Sequence, residues 1–159
     1  MGAINNAFNQ AAGAVAGAAL AIEHAKDSDF SKMNSADNSA LIARNQARAA
    51  TAEANEATNE AKKEGGLTWQ LSEAEVKEGE AKKAFEKAAN RKNGSTVTIL
   101  NKMTELKAAK RAADELRDKY KALTDLQDRA LEQRMHAAKA TKIALDEKAR
   151  YEQRWGGIK

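Results

Sequence analysis

The sequence predicts an all-α protein: an elongated, long-helix coiled-coil hairpin with a Gly/Ala-rich N-terminal helix, assembled as an oligomer. Three observations lead there. Of 159 residues, 36 are alanine and only 23 are Val, Ile, Leu or Phe, which is too little bulky apolar material for a thick globular core. Proline is absent and 31% of residues are charged, with Ala, Glu, Lys, Arg and Leu abundant. That is the composition of long helices, not of a sheet. Finally, apolar residues recur at alternating spacings of three and four over long stretches, which is the period of a packed helix. A net charge of +4 is too small to mark a self-repelling disordered chain.

Residues 1–24 form the first predicted element. No charged residue precedes Glu23, and residues 11–22 read AAGAVAGAALAI. This apolar run is shorter than the ~20 residues of a membrane span. Ala19-Leu20-Ala21 resembles a signal-peptidase site, but the basic region of a signal peptide is missing. Asn6 stands where a myristoylation signal needs Ser or Thr. Gly13 and Gly17 form a GxxxG among alanines, a pattern that lets helices approach closely. The candidate residues for membrane contact or close helix packing are Phe8, Gly13, Val15, Gly17, Leu20 and Ile22.

Residues 25–39 are expected to be a polar linker, because DSDFSKMNSADNS at 27–39 is rich in capping and turn residues. Ser35 or Ser39 would cap the helix that follows. The first coiled-coil arm is placed at 40–92. Its seam starts inside the linker: Ala36, Ala40, Ala43, Ala47, Ala50, Ala54, Ala57 and Ala61 keep a strict four-three alternation. A sustained period of 3.5 specifies a left-handed coiled coil, and this seam is read as the oligomer contact. The pattern resumes at Leu67, Leu71, Ala74, Ala81, Phe85 and Ala88, with Glu78 as its one interruption. At Gly65-Gly66 the expectation is a bent but nearly continuous helix, the alternative being a break with Thr68 or Ser72 as cap.

Residues 93–95 are the predicted turn, since Asn93-Gly94 tolerates a reversal and Ser95 or Thr96 can cap a new helix. The second arm occupies 96–155, where no Gly or Pro intervenes, and Gly156-Gly157 opens a tail at 156–159. Its seam runs Ile99, Met103, Leu106, Ala109, Ala113, Leu116, Tyr120 and Leu123. Beyond Leu123 it divides into two stripes, Leu126/Ala130/Ala137/Ala144/Tyr151 and Leu131/Met135/Ala138/Leu145/Ala149. Helical stretches at 36–92 and 96–155, roughly 85 and 90 Å long at 1.5 Å per residue, would fold back on each other with Leu67 beside Tyr120 or Leu123 and Phe85 beside Met103.

Little chemistry is visible. The chain has no cysteine, and its two histidines, His24 and His136, belong to no metal motif. No phosphate loop or nucleophile motif occurs, so the chain reads as a non-enzyme without a cofactor. Charge is uneven: residues 1–90 carry net −3 and residues 91–159 net +7. Arg44, Arg48, Lys107, Lys110, Arg111 and Arg117 are candidate sequence-independent phosphate contacts. No aromatic platform accompanies them. Tyr151 and Trp155 either anchor the C-terminus to a partner or membrane interface or close the last turn.

The layout resembles a class of phage proteins. A charge-free segment, MGAINNAFNQAAGAVAGAALAIE, precedes a Ser/Asn-rich stretch and long helices such as SALIARNQARAATAEANEATNEA. In this it is similar to the genome-ejection proteins of phage virions, that is, the DNA pilot proteins of microviruses and the small internal proteins of short-tailed phages. The resemblance implies several copies in the particle alongside other virion structural proteins. It also implies transfer to the host envelope on infection, membrane contact through the N-terminus, and DNA passage through a helical assembly. Two alternatives stand beside it: a purely structural coiled-coil component of a virion or secretion apparatus, and an Ala/Lys/Glu-rich hydrophilin that protects against stress.

Overall fold

In a computed structural model, residues 2–157 are described, and they are helical apart from two short connections and the C-terminal turn. Three helices follow in order: α1 at Gly2–Lys62, α2 at Leu67–Ala89 and α3 at Thr96–Trp155. No strand occurs among the described residues. Residues 158 and 159, half of the expected tail, lie outside them. The all-α class stands.

Contacts divide the chain into two units. The first joins the start of α1, as far as Ala47, to the end of α3 from Gln133 onward; the second is Arg48–Glu132. Within the first unit, Ala43, Ala47 and Ala137 form a small buried cluster with Ala140 packed against it. Ala40 and Ala144 are also buried. Within the second unit, all three helices pack together. Ala54, Ala61, Ala88, Ala113, Leu123 and Ala130 supply its buried apolar side chains. Thr58 meets Gln127 at 2.9 Å and Glu78 meets Arg117 at 2.8 Å, so numbers rise on one side as they fall on the other. The facing segments therefore run in opposite directions, and Leu67 shares a depression with Leu123 as the sequence spacing requires.

The linker expected at 25–39 is instead helical throughout, as part of α1, and neither Ser35 nor Ser39 begins a helix. The segment holds no Gly or Pro. Its Ser, Asp and Asn disfavour a helix by at most ~0.7 kcal/mol each, and packing overrides so small a preference. Phe30 supplies such packing, meeting the Tyr151 ring at 5.7 Å edge to face.

At Gly65-Gly66 the outcome is a break rather than a bent continuous helix. Gly65 takes a positive φ of 74°, and Gly66 becomes the N-cap of α2 without any side-chain cap. Thr68 and Ser72 therefore have no capping role. The Gly66 carbonyl accepts the Gln70 N–H at 2.9 Å, and the Gln70 side-chain amide donates to the Gly65 carbonyl at 2.9 Å. The turn after α2 falls where expected but is longer, from Asn90 to Ser95, with the Ser95 carbonyl accepting the Ile99 N–H at 3.1 Å.

The two glycines differ in what they tolerate. A Cβ at Gly66 would lie 2.6 Å from the Glu60 carbonyl oxygen and 2.7 Å from that of Ala61, whereas one at Gly65 meets nothing within 4 Å. Gly65→Ala is expected to cost only the left-handed penalty of ~1–2 kcal/mol. Gly66→Ala should cost more, because backbone must move. Urea unfolding followed by circular dichroism would rank the two, and the reverse order would show that the break is not held as described.

Candidate functional site

Alanine decides which faces remain available. Every member of the strict seam, Ala36, Ala40, Ala43, Ala47, Ala50, Ala54, Ala57 and Ala61, is buried or half-buried. The cover comes from α3 of the same chain, through Ala137 and Ala140 in the first unit and through Leu123 and Leu126 in the second. The seam read as an oligomer contact is thus filled within one chain. The physical reason is that α3 carries a matching alternation at Leu123, Leu126, Ala130, Gln133, Ala137, Ala140, Ala144 and Glu147. Gln133 and Glu147 hid that alternation. Of the two stripes expected beyond Leu123, the first turns inward. The second stays outside, with Leu131 at 50%, Met135 at 55% and Leu145 at 62% exposure.

The N-terminal part of α1 presents another uncovered apolar surface. Phe8 is 73% exposed, Val15 70%, Leu20 55% and Ile22 55%. Nothing lies within 4 Å of a Cβ placed on Gly13 or Gly17, so the GxxxG face is open. All six candidate residues therefore lie on a helix whose surface from Gly2 to His24 is exposed. No helix among the described residues is long and apolar enough to cross a membrane.

The candidate phosphate contacts do not form one site. Arg44, Arg48, Lys107, Lys110 and Arg111 are exposed. Arg117 is engaged: it meets Glu78 at 2.8 Å, Asp114 at 2.8 Å and Glu75 at 3.6 Å. Hydrogen bonds to Glu78 and then Asp114 hold its guanidinium pKa above the ordinary value, and its charge is committed inside the second unit. Glu78, the interruption in the heptad, is the acceptor that fixes it. An acid on a seam with a basic residue opposite was the available signal.

Trp155 likewise serves the chain itself. It is 7% exposed, and its indole N–H donates to the Asp29 carboxylate at 2.9 Å. Arg154 approaches the same oxygen at 2.8 Å and lies 4.9 Å from the Trp155 ring centroid. This cluster ties α1 to the last turn of α3, where Tyr151 and Trp155 close the helix pair within the chain. Asp29 was missed because its segment read as a linker. Among the described residues, no group of His, Asp or Glu is arranged to hold a metal. Comparisons with protein families, curated proteins and solved structures find no match to the chain.

Hydrogen bonding from Trp155 lowers the Asp29 pKa; partial desolvation opposes this, and the charges of Arg154 and Lys32 add to the lowering. A lowered folded-state value means the cluster stabilises the fold above the unfolded carboxyl pKa of about 3.9. That contribution is lost as pH falls through the lower folded value. In a Trp69→Phe background, Trp155 emission is expected to move to the red on acidification below about pH 4. Asp29→Asn should remove that titration and start from a redder emission at neutral pH. An unchanged acid transition in Asp29→Asn would show that another group controls Trp155.

Proposed function

We propose that the chain is a phage virion protein of the genome-ejection, or DNA pilot, type. In this reading it helps carry DNA across the host envelope through an oligomeric helical assembly. The observation that carries it is the charge-free, fully exposed N-terminal part of α1, with Phe8, Val15, Leu20 and Ile22 uncovered. A water-soluble chain gains nothing from such a surface unless it is later covered by other copies or by lipid. Antiparallel helix packing within each unit supplies stiffness, and the exposed Met135 and Leu145 supply a lateral contact for homo-oligomers. Sequence-independent contact with DNA phosphates involves the exposed Arg44 and Arg48. The protein resides in the phage particle beside other virion proteins and passes to the host envelope on infection. It performs no catalysis and uses no cofactor.

A second reading, a purely structural coiled-coil component, is favoured by one observation: no described helix reaches the length and apolarity of a membrane span. Vesicle assays separate the two. Full-length protein should release dye from phosphatidylcholine vesicles, and a Phe8→Asp/Val15→Asp/Leu20→Asp variant should lose most of that release while keeping its helicity. Native mass spectrometry should show several copies per assembly. Equal leakage by both proteins, or no membrane binding in any oligomeric state, would leave the structural reading in its place.

A further inference from the structure

The charge of the chain is concentrated at one place. Residues 81–111, which comprise the end of α2, the turn and the start of α3, hold nine Lys or Arg against two acids, net +7. The remaining 128 residues hold 18 basic and 21 acidic side chains, net −3. All nine cations except the half-buried Lys102 are exposed. Lys102 is also paired with Glu105 at 3.2 Å, which leaves Glu86 as the one other acid within 81–111 against eight cations, with Glu80, Asp114 and Glu115 flanking the stretch. Lys87, Arg91 and Lys102 converge on a depression that also includes Asn93, Gly94 and Thr98, and no acid lines it.

Two apolar side chains accompany this charge. Val97 is 65% exposed and Leu100 50%, three residues apart in the first turn of α3 and so on one helix face. Lys107 and Arg111 continue that face at helical spacing. A nucleic-acid backbone would engage the cations and have no use for Val97 and Leu100. An anionic bilayer uses both, because headgroup phosphates pair with the cations while the short apolar side chains enter the interface.

We propose that the turn end of the second unit is a docking surface for an anionic lipid bilayer. It is separate from the N-terminal segment, and it differs in mechanism because it requires negative headgroups. The proposal rests on charge segregation and on the exposed Val97/Leu100 pair, and it does not need the ejection reading.

The test uses full-length protein and co-sedimentation with two vesicle types, phosphatidylcholine alone and phosphatidylcholine mixed with phosphatidylglycerol. Wild type should bind the mixed vesicles more tightly, and the difference should shrink in high salt. Lys87→Gln/Arg91→Gln/Lys92→Gln should weaken binding to the mixed vesicles ~100-fold, about fivefold for each cation near a charged surface. Val97→Ser/Leu100→Ser should weaken it ~10-fold, as expected for two small apolar side chains. A control triple, Lys119→Gln/Lys121→Gln/Arg129→Gln, removes equal charge elsewhere in the same unit and should have a smaller effect. All these positions are exposed, so helicity should be unchanged. Losses equal to the control would overturn the proposal. So would an inert Val97→Ser/Leu100→Ser variant combined with single-stranded DNA binding that depends on Lys87, Arg91 and Lys92, which would assign the surface to nucleic acid. Binding to phosphatidylcholine alone should be untouched by the turn variants, so failure here is distinguishable from failure of the ejection reading.

Discussion

Close approach of helices through alanine is the constraint on which everything else rests. A helix pair with alanine on both facing surfaces comes together near the short end of the ~8–10 Å range of axis separations. At that distance no large side chain fits between the helices. The interior of each unit is accordingly lined mostly by methyl groups, with Leu123 and Trp155 the only fully buried side chains larger than alanine among the described residues. The bulkier apolar residues are displaced to the flanks or the outside, as Leu41, Ile42, Met135 and Leu145 are. The exposed apolar surface is thus a direct result of the seam.

A methyl seam buries little area per residue, and specific polar contacts supplement it. In the first unit Asp29 collects Trp155 and Arg154; in the second, Arg117 collects Glu75, Glu78 and Asp114. Exposed ion pairs contribute little individually, yet those of Arg117 with Glu75 and Glu78 and of Arg154 with Asp29 join residues far apart in sequence. The seam also carries polar atoms without partners: Thr51 Oγ1 in the second unit and Gln133 Oε1 in the first are buried and accept no hydrogen bond. Such groups are costly where they stand.

Much of the fold was legible in the residues. The alanine alternation from Ala36 to Ala61, the glycine pair at 65–66 and the Asn-Gly turn each mark a real feature. Two things were not. Residues 25–39 carry local signals for a loop, and their contacts with the distant Tyr151 and Trp155 favour the helix instead, which no local window reveals. The alternation on α3 runs through Gln133 and Glu147, whose polarity breaks the pattern although their positions obey it. For the candidate surfaces, the lack of charge marks out the N-terminal segment, but its exposure on α1 is visible only in the fold. The basic concentration at 81–111 is obscured when charge is counted in halves, because a division at residue 90 cuts through it.

One consequence of the alanine seam concerns uniqueness of alignment. On α1 every knob of the seam is the same methyl group, so sliding that helix by seven residues replaces alanine by alanine, and the apolar energy changes little. A leucine or phenylalanine core would oppose the slip by shape alone. Here that discrimination falls largely to single-copy chemistry: one indole with one carboxylate in the first unit, and one guanidinium with its acids in the second. The seam works like an evenly ruled scale, and these contacts are the marks that give it an origin.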